Sequence, residues 1–227
     1  MSKIEIEPLL RQAGPSRAKY QMIESISRWE SVRMTPSSMS FKFLGSFPES
    51  SLLLVFDLSN KNRDVRLRAK FDPSSYKSRA GSLGKLSVSA ASLLKRKTRE
   101  VVASYQKVPM QDPSEIGTLL RNLDWQIGRL EHLAVELATA ANRYESNILL
   151  GGGDVALEVE LTGCLATVEL NSHYPFQPLK VRVDVFEGNQ IEIIPLQRHL
   201  VRHVKPGYEY MTRLLVSMTE YLQATSK

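Results

Sequence analysis

The sequence has a single cysteine, Cys164, among its 227 residues, so no disulfide can close within the chain and no all-cysteine metal site is available. A reducing compartment, cytosol or nucleus, is expected. Long apolar runs are missing as well. The longest unbroken aliphatic and aromatic stretch is Leu52 to Phe56, against the roughly 20 residues that a membrane helix needs. The opening Met1-Ser2-Lys3-Ile4-Glu5 alternates charge with aliphatics and lacks the apolar stretch of a signal peptide. Neither export nor membrane association is expected. Nor is there a Gly-x-Ser-x-Gly elbow, a Walker-type lysine loop or an evident pair of carboxylates. Catalysis has no visible apparatus, and no cofactor is implied.

What is present is ordinary globular composition. Hydrophobic residues make up 42% and charged residues 24%, beside typical values of about 45–50% and 25%. The length suits one large domain or two of about 100 residues each. The net charge of +6 is not spread evenly. From Lys61 to Arg99 stand twelve Lys or Arg against Asp64 and Asp72, a local +10 that leaves the rest of the chain at −4. Such a cluster favours an acidic partner, whether nucleic acid, tubulin or an acidic peptide.

Tyr20, Ile23, Ile26, Trp29 and Val32 recur at three-to-four spacing and predict a helix from 17 to 32, ended by Pro36. Trp29 reads as a core residue before an anchor. Three strands follow: Met39-Phe41-Phe43, Leu52 to Leu58, and Val65 to Phe71, where apolar residues alternate with Arg66, Arg68 and Lys70. Gly45 to Ser51 and Ser59 to Asn62 have hairpin-turn chemistry, so an antiparallel meander is expected. Residues 72 to 87 read as an irregular loop, and residues 88 to 107 return to helical spacing.

After Asp112-Pro113, with Ser114 as N-cap candidate, a helix from 114 to 145 carries Ile116, Leu120, Leu123, Ile127, Leu130, Ala134, Leu137, Ala141 and Tyr144. This stripe is either a coiled-coil seam or the buried face of a helix lying across two domains. Ala134 and Ala141 thin it, and Gly117 and Gly128 lower helix propensity, which favours the packing reading and a monomer. Asn147 to Leu150, Val155 to Leu161, Cys164 to Leu170 and Lys180 to Phe186 then read as four strands, before helices near 193 to 204 and 208 to 223. The order helix, strands, helix therefore repeats at about 110 residues, beyond any solenoid period. The fold class expected is α+β, two copies of one domain in tandem.

Most specific is His173-Tyr174-Pro175-Phe176-Gln177-Pro178, between the last two strands. Two prolines remove two donors, so the segment must leave the ladder. Its place in this order of elements makes the second half resemble the RWD fold, a relative of ubiquitin-conjugating enzymes. The chain from 17 to 223, with Arg28-Trp29-Glu30, the long helix running into Asn147-Ile148-Leu149 and the Tyr-Pro string, resembles the C-terminal tandem RWD module of the outer-kinetochore scaffold family known as Knl or Blinkin. Residues 1–16 are expected to form a flexible segment, and the resemblance implies a degenerate first RWD-like domain over 17–110 and a second over 111–227. It further implies docking of a scaffold on the Mis/MIND complex, support of microtubule attachment and spindle checkpoint signalling, and a place at the centromere and kinetochore in the nucleus. A tandem RWD subunit of the inner centromere network, of the CENP-O and CENP-P kind, is another reading.

Ubiquitin-transfer chemistry is not expected. Conjugating enzymes carry their cysteine after the Tyr-Pro string, whereas Cys164 precedes it and alternates with Ala166 and Val168 as a core side chain. His199 and His203 share a helix face without a third ligand and read as packing or surface residues. Gly151 to Gly153 reads as a turn. The candidate partner contacts are Arg66, Arg68 and Lys70 on a strand with Lys95, Arg96 and Arg99 on a helix, which together would make one basic patch. Double-stranded nucleic acid is the alternative partner, since a helix, three strands and a basic helix also mimic an RNA-binding domain. Against it, the aromatics that would stack on bases are absent from the cluster.

Overall fold

A computed structural model describes residues 28–58, 65–75, 86–107, 110, 115–151, 154–171 and 174–225. The chain divides into two compact units, Met1–Ser82 with Ser92–Glu131, and Leu83–Ala91 with His132–Lys227. Its class is α+β: two four-stranded antiparallel sheets and four α-helices among the described residues. The expected flexible segment 1–16, the helix over residues 17–27, the turn 59–62, most of the loop 72–87, the Ser114 cap and His173 lie outside the described residues.

In the first unit, β1 (Trp29–Thr35), β2 (Ser38–Phe43), β3 (Leu52–Asp57) and β4 (Arg66–Phe71) pair in that order. This corrects two expectations. The last turn of the predicted helix, from Trp29 to Val32, is strand, and the first half holds four strands where three were expected. The reason is a bulge between Ser31 and Arg33. It shifts the alternation midway, so that Trp29 and Ser31 share a face with Met34, not with Arg33. The interrupted period hides the strand, while Tyr20 to Val32 keep a helical one.

Registers Phe43↔Leu52↔Phe71 and Phe41↔Leu54↔Ala69 put the large apolar side chains on one face. Phe43, Leu52, Leu54 and Phe56 are fully buried there, each worth about 1.5–3 kcal/mol of burial. Trp29 belongs to the same core, and its indole N–H donates to the Leu120 carbonyl at 2.9 Å. Gly45 opens the β2–β3 connection where a Cβ would stand 2.9 Å from the backbone of Ser50 and Ser51. Gly45→Ala is therefore expected to cost about 1–3 kcal/mol in urea denaturation, because backbone cannot step aside as a side chain does.

Helix α1 (Val88–Gln106) starts at Ser87, whose hydroxyl accepts from the Ala90 amide at 3.2 Å. Helix α2 (Glu115–Arg143) carries the heptad stripe. Ile116, Leu120, Leu123 and Ile127 lie in the core of the first unit, and Ala134 and Leu137 are buried further along. The stripe is a packing face. The division between units falls inside this helix, after Glu131, and not at the expected 110/111 boundary.

The second unit repeats the meander as β5 (Ser146–Gly151), β6 (Asp154–Leu161), β7 (Cys164–Leu170) and β8 (Lys180–Val185), followed by α3 (Ile193–His203) and α4 (Tyr210–Thr225). All four expected strands and both helices are present. Leu157, Val159, Ala166 and Val168 form the buried face, with Met211, Met218 and Leu222 of α4 fully buried as well. Cys164 sits on the same face, and burial pushes its thiol pKa up, the wrong direction for a nucleophile.

Candidate functional site

The site begins with the alternation of β4. Leu67, Ala69 and Phe71 turn to the core, so Arg66, Arg68 and Lys70 must stand on the other face of the sheet. All three are exposed. Arg68 reaches Asp57 on the adjacent strand at 3.6 Å, an exposed pair of little energetic weight. The register extends this face across the sheet through Ser40, Lys42, Leu53 and Val55 to Arg33 of β1. Arg33, Lys42, Arg66, Arg68 and Lys70 thus share a face with Glu30 and Asp57, and Lys42 is paired with Asp72 at 3.5 Å; the surface is net positive, with half-buried Leu53 and Val55 at its centre.

The helical cations go elsewhere. The Arg99 guanidinium lies over the Phe71 ring at 5.2 Å, and Phe71 belongs to the core side of β4. Arg96 and Lys97 both turn to Glu100, at 3.7 and 2.8 Å, and Lys95 is exposed. The six candidates therefore form two clusters separated by the sheet, which corrects the expectation of a single patch. Period two on the strand decides it: cations that alternate with core residues cannot face a helix that touches Phe71.

Arg33 and Lys42 join the site without having been singled out. Lys42 was legible, since it interrupts Phe41 and Phe43 in a strand; Arg33 was hidden by the bulge.

Two buried carboxylates on α2 went unread. In the first unit Glu131 accepts from the Ser46 amide at 2.7 Å, the Ser46 hydroxyl at 3.1 Å, the Ser50 hydroxyl and the Arg28 guanidinium. Arg28 also donates to Asp124 at 2.9 and 3.0 Å and lies over the Phe43 ring. Burial works to lower its pKa, but the carboxylates of Glu131 and Asp124 outweigh it, and the net direction is upward. In the second unit Glu136 accepts from the Tyr174 hydroxyl and from the Thr212 amide at 3.0 Å, while Tyr174 in turn accepts from the Met211 amide at 3.2 Å. The Tyr-Pro string is thereby tied to α2 before the sheet and to α4 after it. Gly207 donates to the neighbouring Pro175 carbonyl at 2.8 Å, and the Asn171 side-chain amide donates to the Pro178 carbonyl at 3.1 Å at the string's other end.

The histidine pair is a packing feature. His199 and His203 have ring centroids 4.6 Å apart, and His199 meets Tyr221 and the Ser217 hydroxyl. No group of three metal-ligating side chains occurs among the described residues. No helix among them is long and apolar enough to cross a membrane. Comparison with protein-family models finds no match to the chain, and comparison with curated proteins finds none.

Proposed function

We propose that the chain is a non-catalytic interaction module of two RWD-type domains in tandem, which docks an outer-kinetochore scaffold of the Knl or Blinkin kind onto the Mis/MIND complex. The observation that carries this reading is the build of the second unit. A long helix leads into a four-stranded meander interrupted before its last strand by the Tyr-Pro string, and two helices follow. Tyr174, 4% exposed, fastens that string to α2 and α4. The same meander in the first unit supports a tandem arrangement. The location that goes with this reading is the kinetochore in the nucleus.

Docking of this kind needs a partner segment with acidic residues around an apolar one, laid on the outer face of the first sheet. The test is salt-titrated binding of the purified chain to purified Mis/MIND complex, with double-stranded RNA and DNA in parallel. Saturable binding to the complex that survives near-physiological salt supports the proposal. Nucleic-acid affinity falling steeply with salt, without binding to the complex, replaces it with phosphate recognition by the same basic face. Reversing Arg66, Arg68 and Lys70 to glutamate is expected to weaken the complex at least about tenfold. The thermal midpoint should stay within a few degrees, because all three side chains are exposed. Equal loss of binding and stability would remove this face as the site.

A further inference from the structure

Strand β8 ends its sheet, and no other strand pairs with its outer edge among the described residues. Its backbone polarity can be assigned. The Phe186 amide donates to the Gly163 carbonyl at 2.9 Å, toward β7. In an antiparallel ladder the direction alternates residue by residue. Lys180, Arg182 and Asp184 therefore bond inward, while Val181, Val183 and Val185 aim both N–H and C=O at the free edge. The side chains at this edge are also left uncovered: Val185 is 38% and Phe186 39% exposed. Natural edges are normally blunted by charged side chains, proline or a bulge, and charge of one sign also repels a second copy. The equivalent edge of the first unit is blunted in that way, with Arg66, Arg68 and Lys70 of one sign and Val65 already bridged to Met110. Strand β8 has neither proline nor bulge, and its charges, Lys180, Arg182 and Asp184, are of mixed sign.

Instead its sequence, Lys-Val-Arg-Val-Asp-Val, is complementary to itself. Set two copies antiparallel about a twofold axis at Val183. Val183 then faces Val183, Val181 faces Val185, and the outward-aimed backbone groups of all three meet partners. On the other face of the sheet each Arg182 stands across from an Asp184. Lys180 falls opposite Phe186 of the second copy, stem over ring. Within one chain Arg182 Nε already donates to Asp184 at 3.1 Å, so the dimer completes a square of alternating charge. An isologous contact of this kind closes at two subunits.

We propose that the β8 edge is a homodimerisation site, in which two copies of the chain join their second-unit sheets into one continuous eight-stranded sheet in this register. This goes beyond the docking function and does not depend on it, since the basic face of the first sheet is untouched.

The experiment is sedimentation velocity of the full chain from micromolar to sub-millimolar concentration, with three variants checked for an unchanged thermal midpoint. Wild type should show a monomer–dimer equilibrium. Arg182→Asp makes the edge acidic and Asp184→Arg makes it basic, so each alone should dimerise about tenfold or more weakly. An equimolar mixture of the two should recover the dimer as a heterodimer. Val183→Pro removes an outward N–H, which the folded monomer does not use in its ladder, together with a half-buried side chain, and should abolish association while the thermal midpoint reports any cost to the fold. A wild type that stays monomeric throughout, a dimer indifferent to proline, or a mixture that fails to associate would overturn the proposal. So would growth beyond dimers, which signals head-to-tail pairing of β8 with β5.

Discussion

Glu131→Ala is expected to destabilise the first unit by about 3–5 kcal/mol, the cost of removing one partner from a buried, hydrogen-bonded charge pair. Four donors converge on this carboxylate: the Ser46 amide, the Ser46 and Ser50 hydroxyls, and the Arg28 guanidinium. Glu131 and Ser50 are buried, and Arg28 is held over the Phe43 ring. Alanine leaves those donors in a space that water does not readily fill, and each orphaned polar group costs about 1–3 kcal/mol. The better helix propensity of alanine returns only a few tenths of a kcal/mol, too little to decide the sign. Asp124 keeps a hold on Arg28 at 2.9 Å, which places the loss at this range and not above it. Urea denaturation gives the size of the effect, and hydrogen exchange gives its place, with protection falling first at Ser46 and Ser50. A loss below about 1 kcal/mol would mean that solvent reaches Arg28 and that the cluster does not hold the β2–β3 connection.

The consequence for function runs through geometry. The β2–β3 connection sets the register in which Lys42 stands beside Leu53, and hence the outer face on which Arg66, Arg68 and Lys70 complete a basic surface. A variant that loosens Glu131 should therefore weaken docking through misplacement, while charge reversal on β4 weakens it without unfolding anything. The two classes of variant separate a positioning role from a contact role.

Much of the fold was legible because period carries it. Strand β4 alternates without interruption, β6 and β7 alternate with single breaks at Ala156 and Leu165, and α2 keeps its three-and-four spacing. Strand β1 was not legible, because a single extra residue at the bulge moves its apolar set from one parity to the other, and no local signal marks a bulge that lacks glycine. The buried carboxylates were illegible for another reason. A glutamate on a helix reads as solvent-facing, and nothing within a turn of Glu131 or Glu136 says otherwise. Their partners lie 85 and 76 residues away, at Ser46 and Thr212. The site residues on β4 were found by charge count, but their separation from the α1 cations follows from which face Phe71 takes.

Tyr174→Ala is expected to cost about 3–5 kcal/mol through the cavity left by a buried aromatic ring, and Tyr174→Phe about 1–3 kcal/mol through the hydroxyl alone. The hydroxyl donates to Glu136 and accepts from the Met211 amide at 3.2 Å, so phenylalanine strips a donor from one buried group and an acceptor from another. The same contacts set a pH dependence. Burial comes first among the causes that push the Tyr174 pKa far above its ordinary value, followed by the charge and hydrogen bond of Glu136, with the Met211 amide and Arg213 pulling weakly the other way. In the unfolded chain the phenol titrates near 10, so above that pH the unfolded state gives up a proton that the folded state keeps. Stability from this residue is complete below about pH 10 and falls above it by about 1.4 kcal/mol per pH unit. Denaturation curves between pH 9 and 11.5 should show that slope in the wild type, in excess of the slope in Tyr174→Phe. Parallel slopes would mean that the phenol ionises as readily folded as unfolded, and the string would then not be fastened through this hydroxyl.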